Sequence, residues 1–597
     1  MAEISELQDS SARPGHFFVA CAIVFLLVLF LVIRPLFDPD TWFHLAFGNW
    51  VLKHGFIPWG DVFSWTAAGR EWISSGWLSS IFIAESNAIA PEGGIGMMLL
   101  VAFVLCLQTA ICLFYAMKHR ALWPAAIVVI AGLGIAGVRF SPRPDIFSQL
   151  MLPLLLISLA YPLHFTSPQN RIVRWLPPVI VAIWANLHAG VFVAFPFLAI
   201  YAADSLMQYK KDHDRARLIK LIPVALCAVT WMATPYGWRL LKLPIKIQEI
   251  PRVGLVYEWM PFFKHRFPMP TPCYFWLAVM LLVGYMAWKN RRKSNAANME
   301  FAWAALLIVL ALWQRRQVGI LAAALPVALA PSLKDFAASW KALQRIGPPV
   351  GAAVLVGILQ FTGANLGTPG LPQRGFDCAK LPCVASDFLE ANAPAGHMVN
   401  SFALGGYLLN RLGPEKKVYI DGRLDVYPHD VWLDLLALEE SRLGIDEFLK
   451  LHPTDYFVLD SRQSVGDPLH IVTRLNQRQD FALVYYDDLV AVLVRRSPLN
   501  NRYISQREFR LANPWKLNDL ARAIGDKTQI QEVVKEVGGA ITLSQNSGIA
   551  NAIAAFSAEL AGDSQTAAVV YNTALQRGGE SRVILNQVDK IRLSRKR

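Results

Sequence analysis

The sequence predicts a polytopic α-helical membrane protein followed by a small α/β domain and a short helical segment. Of its 597 residues, 54% are hydrophobic and 17% are charged, which lies outside the range of ordinary soluble domains. Apolar blocks long enough to cross a bilayer, such as FFVACAIVFLLVLFLVI, recur until about residue 364. The residues beyond that point are mixed in polarity, so two different parts are expected.

Basic residues set the expected orientation. They cluster between apolar blocks, as in KHR at 118–120 and KNRRK at 289–293, which is typical of cytoplasmic loops. With these clusters inside, about eleven helices alternate without conflict, with the N-terminus inside and the C-terminal part outside. The net charge of +13 is thereby explained, and nucleic acid is not an expected partner. The predicted spans are 17–37, 94–117, 121–138, 145–163, 174–187, 189–208, 220–235, 271–288, 300–313, 318–332 and 347–364.

We expect three regions. A transmembrane domain covers residues 1–364 and contains a long first outer loop at 38–93, an extracytoplasmic α/β domain covers 365–500, and a helical segment covers 501–597. The α/β assignment rests on the β-rich runs HMVNSF, KVYID, DYFVLD and ALVYYDDLVAVLV, which alternate with helical stretches. In the last region, Ala567, Tyr571 and Ala574 have the spacing of the second helix of a tetratricopeptide repeat (TPR), which predicts a partner-binding repeat or a cap.

Polar and charged residues collect at the predicted outer ends of the helices. Charged or polar side chains in so many unconnected turns suggest one shared site, since such residues are costly near lipid. They are Asp38, Asp40, Arg139, Arg143, Asp145, Asn186, His188, Tyr236, Glu258, Arg315 and Arg316.

The four outer arginines, at 139, 143, 315 and 316, run against the orientation rule that the other basic clusters obey. A guanidinium group binds phosphoryl oxygens at two points and keeps its charge near lipid, so a bound phosphate or pyrophosphate is expected. The alternative is that these side chains reach lipid headgroups or pair with Asp145 and Glu258.

Asp38 and Asp40 flank Pro39 in the first turn after the first span. A carboxylate there can act as a general base or bind a cation. The sequence requires no cofactor, although a divalent cation on these two aspartates is compatible with it. His44 and His188 also fall in outer-face motifs, where they either contact a substrate or metal or pack as hydrogen-bonded residues.

The chain resembles the polytopic GT-C glycosyltransferases that use polyprenyl-phosphate-linked sugars, and among them uncharacterised bacterial members. The likeness covers about residues 17–364 and is carried by DPDTWFHLAFGNW, GFIPWGDVFSWTAAGREW and SGWLS in the first loop. Similar words follow at RPDIFS, WANLHAG, TPYGW and YEWMP. In the tail, ALGGYLLNRL and VYIDGRLDVY also resemble that group.

The resemblance implies a catalytic aspartate in the first loop, a lipid phosphate held by arginines, and an inverting transfer to an acceptor hydroxyl. Asp40 is the preferred base and Asp38 the second candidate. The chain departs here from the protein mannosyltransferases, which have adjacent acidic residues where this chain has Asp38, Pro39 and Asp40, so the choice between the two aspartates stays open. The expected substrate-binding residues are His44, Asp61, Asn186, His188, Tyr236, Glu258, Asp421 and Arg423.

The tail offers two further candidates. Asp421 and Arg423 follow a predicted strand, where α/β domains place ligand contacts; the alternative is a turn-stabilising pair, with Gly405 and Gly406 allowing close packing. Cys378 and Cys383 lie in the part expected outside, where a disulfide is favoured over a metal site.

The predicted function is transfer of a sugar from a polyprenyl phosphate to a glycan, lipid or protein acceptor at the outer face of a bacterial inner membrane, with membrane lipids as further partners. The sequence has no GxGxxG motif after a predicted strand and no GxxxxGK[ST] motif, so nothing in it supports a nucleotide site. The alternatives are a transporter or flippase of a lipid-linked or anionic substrate, and a non-catalytic scaffold for envelope-polysaccharide assembly. Transporters often carry internal repeats and midplane charges, and the sequence shows neither.

Overall fold

The computed structural model describes most of the chain, in two compact units. The described residues are 14–165, 170–249, 257–265, 268–290, 295–339, 345–361, 375–461, 471–526, 528–544 and 547–577. The membrane unit consists of Met1–Leu36, Phe47–Ile57 and Ile73–Gly375, and the sheet unit consists of Phe37–Ala46, Pro58–Trp72 and Phe376–Arg597. Two stretches of the predicted first loop thus belong to the sheet unit. The expected boundary near residue 364 lies outside the described residues.

The membrane unit is helical because its apolar blocks can satisfy their backbone groups only internally in lipid. Among the described residues, seven helices are long and apolar enough to span a bilayer, which makes this a multi-pass membrane protein. Every predicted span falls on a helix, but several of those helices are short, and the number of about eleven spans stays a prediction. The helices are α1 (Pro14–Val32), α2 (Pro39–His54, whose first residues belong to the sheet unit), α3 (Trp77–Ile89), α4 (Ile95–Lys118), α5 (Leu122–Ala136), α6 (Asp145–His164), α7 (Leu176–Leu187), α8 (Ala194–Asp212), α9 (Leu221–Thr230), α10 (Lys242–Glu249), α11 (Thr271–Asn290), α12 (Asn295–Trp313), α13 (Val318–Ser339) and α14 (Gly347–Phe361).

Short turns join several of these helices. Single α-helical turns cover Asn170–Val173 and Arg215–Ile219. The 3-10 turns are Glu92–Gly94, Gly137–Arg139, Ala189–Val193, Gly237–Leu241, Tyr257–Trp259 and Arg315–Gln317. Three of the 3-10 turns carry candidate site residues.

Helix α13 is the centre of the membrane unit. It packs against α4, α5, α6, α11 and α12, and most of its side chains are buried. Small residues permit the close approach: a Cβ added to Gly132 of α5 would lie 3.0 Å from atoms of Ala322. Because lipid supplies little hydrophobic drive between helices, such small-residue contacts stabilise the bundle through van der Waals packing.

The sheet unit contains a four-stranded sheet in the order β1-β2-β4-β3. Strand β1 (Met398–Asn400) runs parallel to β2 (Tyr456–Asp460), and β4 (Val490–Arg495) is antiparallel to both β2 and β3 (Phe481–Tyr486). The central strands are buried, as expected for their apolar sequences.

One predicted strand is wrong. The run KVYID at 417–421 is not a strand in the structure. Within it, only Val418 makes an isolated β-bridge, with Ser64. Its backbone is satisfied by distant partners instead: Val418 N donates to Phe63 O over 3.2 Å, and Tyr419 N donates to the side chain of Asn400 over 2.9 Å. A local sequence pattern cannot predict hydrogen-bond partners that lie this far away in the sequence.

Helices surround the sheet. They are α15 (Cys383–Asn392), α16 (Phe402–Leu412), α17 (His429–Glu439), α18 (Ile445–Leu451), α19 (Ile471–Asn476), α20 (Asn501–Arg507), α21 (Leu517–Gly525), α22 (Ile530–Leu543), α23 (Gly548–Leu560) and α24 (Ser564–Arg577). Helices α23 and α24 pack as a hairpin in which Ala574 and Tyr571 contact Ala552; a TPR identity for this hairpin stays a prediction. Cys378 and Cys383 are joined by a disulfide.

Candidate active site

Three turns of the membrane unit bring arginines and carboxylates together. Arg139 closes the turn after α5, Asp145 begins α6, and Glu258 lies in the turn Tyr257–Trp259. Arg139 Nη2 lies 3.2 Å from both Asp145 Oδ2 and Glu258 Oε2. Arg143 binds Glu258 through both its terminal nitrogens, with Nη1 to Oε1 at 2.6 Å and Nη2 to Oε2 at 3.3 Å.

The two arginines therefore make the ion pairs that were the alternative to phosphate binding. Burial alone would raise the pKa of Glu258, but the guanidinium groups of Arg143 and Arg139 outweigh burial and lower that pKa below its usual value. Glu258 is consequently an anion at neutral pH. It holds the two positive charges in fixed positions, where a second anion can also interact with them.

Arg315 and Arg316 are adjacent in sequence but differ in environment. Arg315 is fully buried; its Nε donates to Pro261 O over 3.1 Å, its Nη2 to Lys264 O over 3.3 Å, and its guanidinium stacks 4.5 Å above Tyr257. The Arg315 side chain thus binds backbone carbonyl groups of the 261–264 segment, and it does not line the cavity described next. The described residues supply no carboxylate within ion-pair distance of Arg316, whose guanidinium lies 5.8 Å from the ring centre of Trp259.

Arg316 lines a cavity of about 260 Å³ in the membrane unit. Its lining contains both polar groups and apolar side chains such as Phe192 and Ile320. Glycines make room for the polar groups: a Cβ on Gly190 would lie 2.6 Å from His188 Nδ1, and one on Gly319 would lie 2.7 Å from Gln149 Nε2. The polar lining residues are Asp145, Ser148, Gln149, His188, Gln314, Arg316 and Gln317.

His188 is held by a hydrogen-bond chain. Trp184 Nε1 donates to Ser148 Oγ over 2.7 Å, and Ser148 Oγ lies 2.7 Å from His188 Nδ1. Burial and the charge of Arg316 lower the pKa of His188 to about 3, outweighing the opposite effect of Asp145. The imidazole is therefore neutral at pH 7. A serine hydroxyl that accepts from the indole can donate to Nδ1, which places the imidazole proton on Nε2.

Two other predicted residues have structural partners. Asn186 accepts from Trp77 Nε1 over 3.0 Å and donates to Ala233 O over 2.7 Å, so it ties α7 to the start of α3 and to the segment after α9. Tyr236 is buried in the turn before Gly237–Leu241 and is not part of the cavity wall.

In the sheet unit, Asp38 and Asp40 have different environments. Asp38 Oδ1 accepts from Asp40 N over 3.0 Å, so Asp38 is the N-cap of α2 and Pro39 its first helical residue. Asp40 lies against the backbone of Gly422: a Cβ on Gly422 would overlap Asp40 Oδ1. His44 follows one turn later, half-buried, with its ring 4.1 Å from that of Phe43.

Gly422 is held in place by a buried charge network. Arg423 Nη1 donates to Asp61 Oδ1 over 2.5 Å, and its Nη2 donates to Asp421 Oδ2 over 2.6 Å. Tyr427 donates to the same Asp421 oxygen over 2.7 Å. Burial alone would lower the pKa of Arg423, but the charges of Asp421 and Asp61 raise it. Burial and the charge of Asp421 both raise the pKa of Tyr427. Arg423 is therefore charged and Tyr427 is a donor.

Asp61, Asp421 and Arg423 are thus partners of one another. Each is at most 2% exposed. Asp61 Oδ2 also accepts from Ser64 N and Ser64 Oγ, and Phe63 and Trp72 face the guanidinium at 5.1 and 4.6 Å. These three buried residues hold the 421–423 segment beside Asp40, and their contact with a substrate stays a prediction.

Two glycines were predicted for close packing, and the geometry agrees. A Cβ on Gly405 would overlap Ile420 O, and one on Gly406 would overlap Pro39 O. Helix α16 therefore approaches both the 420–422 segment and the start of α2. Asn400 completes this arrangement, since its side chain accepts from Tyr419 N and donates to Ile420 O over 2.8 Å.

Sequence reasoning missed several residues of these sites. Ser148 lies one helical turn after Asp145 in RPDIFSQ, so the three-residue spacing could have indicated it. Gly422 lies between Asp421 and Arg423, where a glycine between charged residues is a signal of close backbone approach. Gln149, Gly190 and Tyr427 have no comparable signal. Among the described residues, no group of three or more His, Cys, Asp or Glu side chains is arranged to hold a metal ion.

The fold and these sites define a multi-pass membrane protein with a polar, arginine-lined cavity in its helical unit and an aspartate positioned by a buried network in its sheet unit. No protein-family model matches the chain, and no curated protein matches its sequence. It is similar to the crystal structure of ArnT from Cupriavidus metallidurans bound to undecaprenyl phosphate, with a TM-score of 0.50 and 15% sequence identity over 82% of this chain and 99% of that chain. ArnT in the apo state matches with a TM-score of 0.49 and 14% identity over 81% of this chain and 99% of that one. The likeness to the undecaprenyl-phosphate-bound structure shows a GT-C-like fold.

Proposed function

We propose that this chain is a membrane glycosyltransferase that moves a sugar from a polyprenyl-phosphate donor to an acceptor hydroxyl with inversion. The observation that carries the proposal is the cavity of the membrane unit, whose lining includes both Arg316 and the neutral His188. Among the described residues no carboxylate lies within ion-pair distance of the Arg316 guanidinium, and such a guanidinium beside an imidazole N–H suits a phosphate better than a neutral ligand. The undecaprenyl phosphate bound to ArnT, which shares the fold, supports a lipid phosphate as that ligand.

In this proposal Arg316 and His188 hold the lipid phosphate, with Arg139 and Arg143 close by to stabilise its charge. That charge grows in the transition state, as the bond from the anomeric carbon to the phosphate oxygen breaks. Glu258 keeps Arg139 and Arg143 oriented at no cost of reorganisation during the reaction.

Asp40 takes the proton of the acceptor hydroxyl as that oxygen attacks the anomeric carbon. Asp40 is preferred over Asp38 because the Asp38 side chain caps α2. The buried network around Arg423 fixes Gly422, and Gly422 fixes the position of Asp40 Oδ1.

Localisation in a bacterial inner membrane, with the N-terminus cytoplasmic and the sheet unit outside, belongs to the same proposal.

The test is transfer of labelled sugar from polyprenyl-phosphate donors by the full-length protein in nanodiscs. We expect Asp40→Asn to lose turnover while Asp38→Asn, which retains a capping side chain, keeps most of it. Arg316→Gln should lower kcat/KM about 10- to 100-fold, as expected for one charge-assisted hydrogen bond. The matched control is Lys118→Gln, which removes an exposed charge from the end of α4. Full turnover by Asp40→Asn would disprove its role as base. A folded wild-type protein that turns over no polyprenyl donor would favour the transporter or scaffold alternative.

A further inference from the structure

Gln149 carries a buried amide group with unused hydrogen-bonding capacity. The residue is 3% exposed and lines the cavity of the membrane unit. Its amide has two N–H donors and an acceptor oxygen, and neither end finds a hydrogen-bond partner among the described residues. An unsatisfied amide in a buried site costs free energy, and polar residues kept within a membrane domain at such a cost are usually functional. The amide is therefore a candidate ligand contact.

Gly319 makes room for this amide. A Cβ added at position 319 would lie 2.7 Å from Gln149 Nε2 and 2.8 Å from Gln149 Cδ. Any other residue at 319 would thus displace the amide from its present position. Gly319 lines the same cavity, so the space that the missing side chain leaves is filled by a polar group that borders the cavity.

Gln149 shares the cavity with the residues proposed to hold the lipid phosphate. It lies one helical turn after Asp145 on α6, which places both side chains on one face of the helix. Asp145 also lines the cavity, and its Oδ1 is buried without a hydrogen-bond partner among the described residues. Arg316 and His188 line the same cavity. If these two hold the phosphate, the group attached to the phosphate is the part of the ligand available to Gln149 and Asp145.

The size and charge of the cavity restrict what that group can be. At about 260 Å³ the cavity is smaller than the roughly 300–1,000 Å³ of pockets for drug-sized ligands, which indicates one sugar residue and not an oligosaccharide. Among the described lining residues, Gln149, Gln314 and Gln317 have uncharged amides, and the carboxylate of Asp145 is paired with Arg139. Amide groups both donate to and accept from hydroxyl groups, so this lining matches an uncharged sugar.

We propose that Gln149 selects the donor by hydrogen-bonding a hydroxyl group of a single uncharged sugar residue on the lipid phosphate. That hydroxyl donates to Gln149 Oε1 or accepts from Nε2, and a second hydroxyl donates to Asp145 Oδ1. A site of this kind rejects an analogue that lacks the hydroxyl, because the buried polar groups are then left unpaired. The inference rests on the proposed polyprenyl-phosphate donor and adds to it the residue that recognises the sugar.

The test measures binding to the full-length protein in nanodiscs with no acceptor present. The probes are bare undecaprenyl phosphate, its glucosyl, galactosyl and mannosyl forms, and two charged forms that carry glucosamine and glucuronic acid. The Kd of each follows from the rise in Tm during titration. We expect at least one uncharged form to bind more tightly than both charged forms. Gln149→Leu should weaken binding of that form about 3- to 10-fold and leave binding of bare undecaprenyl phosphate unchanged.

Deoxy analogues of the uncharged form that binds identify the hydroxyl. Removing the recognised hydroxyl should weaken binding to the wild type by the same factor and have no effect on binding to Gln149→Leu, as in a double-mutant cycle. Gly319→Ala, which displaces the amide without removing it, should also weaken binding of the sugar-bearing lipid selectively.

Gln108→Leu is the matched control. Gln108 is also 3% exposed, but it donates to Ala323 O over 3.5 Å and does not line the cavity. This variant should bind every probe as the wild type does. Because Gln149 has no hydrogen bond to lose, Gln149→Leu should keep the wild-type Tm in the absence of lipid, whereas a structural role for Gln149 would lower that Tm.

Three results would overturn the inference and leave the transferase proposal intact. They are equal weakening of bare and sugar-bearing lipid by Gln149→Leu, equal sensitivity of variant and wild type to every deoxy analogue, and tighter binding of a charged form than of any uncharged form. Failure of the wild type to bind bare undecaprenyl phosphate would instead contradict the proposed function, and the inference would fall with it.

Discussion

Arg423 and Asp61 lie 362 positions apart in the chain, yet Arg423 Nη1 donates to Asp61 Oδ1 over 2.5 Å with both side chains almost completely buried. Asp421 binds the same guanidinium at 2.6 Å. A buried pair of this kind is not by itself strong evidence of stability, but losing one partner leaves the other charge buried without compensation. The pair therefore fixes the 58–72 segment to the 418–427 segment within the sheet unit.

Replacing Arg423 should lower the stability of the sheet unit. We expect Arg423→Ala to lower the free energy of unfolding by about 3–5 kcal/mol, because Asp61 and Asp421 then face each other in a buried site. Thermal unfolding of the purified protein, followed by near-UV circular dichroism, measures the effect. Arg442→Ala is the control, since its ion pair with Glu440 is exposed and should contribute at most about 1 kcal/mol. Equal Tm values for the two variants would contradict the role of the network.

Gly422→Ala should impair catalysis more than stability. The added Cβ would overlap Asp40 Oδ1, and the aspartate side chain is the part free to move. We expect the turnover of labelled donor to fall while the Tm changes little. Gly444→Ala is the matched control, because Gly444 has an ordinary φ of −71° and no atom within 4 Å of the added Cβ. Wild-type turnover by Gly422→Ala would show that the position of Asp40 does not matter for the reaction.

The N-cap role of Asp38 gives a different pattern of substitutions. Asp38→Ala should cost about 1 kcal/mol of stability, whereas Asp38→Ser should cost little because serine also caps helices well. Both variants should retain turnover at temperatures where α2 is folded. Comparing the Tm and kcat of the two variants separates a cap from a base. A loss of turnover in Asp38→Ser at unchanged Tm would assign chemistry to Asp38.

The fold was largely predictable where its signals are local. Each predicted span falls on a helix, because apolar length and basic flanking clusters are read over a single segment. The cap at Asp38 was also readable, since an aspartate before a proline is a typical helix start. The strand predicted at KVYID was wrong because its backbone partners, near Ser64 and at Asn400, are set by tertiary structure.

The sites were predictable by residue type and much less by role. Arg315 and Arg316 look alike in the sequence, and only the fold buries one against backbone carbonyls and turns the other to the cavity. Asp61 and Arg423 were expected to contact substrate, which stays a prediction. Their contact with each other was not predicted, because it arises where two segments far apart in sequence meet. Pairing between remote segments is the information that a single sequence lacks.

Glu258→Gln should remove a carboxylate that neutralises the positive charges of Arg139 and Arg143. Without this carboxylate, Arg139 and Arg143 keep Asp145 but lose the other carboxylate that pairs with both, so we expect a lower Tm in the absence of an anion. Added undecaprenyl phosphate should then raise the Tm of the variant more than that of the wild type, because the lipid phosphate supplies the missing charge. Glu532→Gln, which removes half of an exposed pair with Arg510, is the control. An equal response of both proteins to the lipid would argue against a phosphate beside these arginines.

His188 should make the protein less stable in mild acid. Its pKa is about 3 in the folded protein and about 6.5 in an unfolded chain, so below about pH 6.5 the unfolded chain binds a proton that the folded protein does not. Stability is therefore lost as the pH falls from about 6.5 toward 3, by at most about 1.4 kcal/mol per pH unit for this one group. His188→Asn can keep the hydrogen bond with Ser148 but cannot take up a proton. We expect its Tm to fall less than that of the wild type between pH 7 and pH 5, with the exposed His54→Asn as the control. Parallel curves for His188→Asn and the wild type would show that His188 is not held neutral.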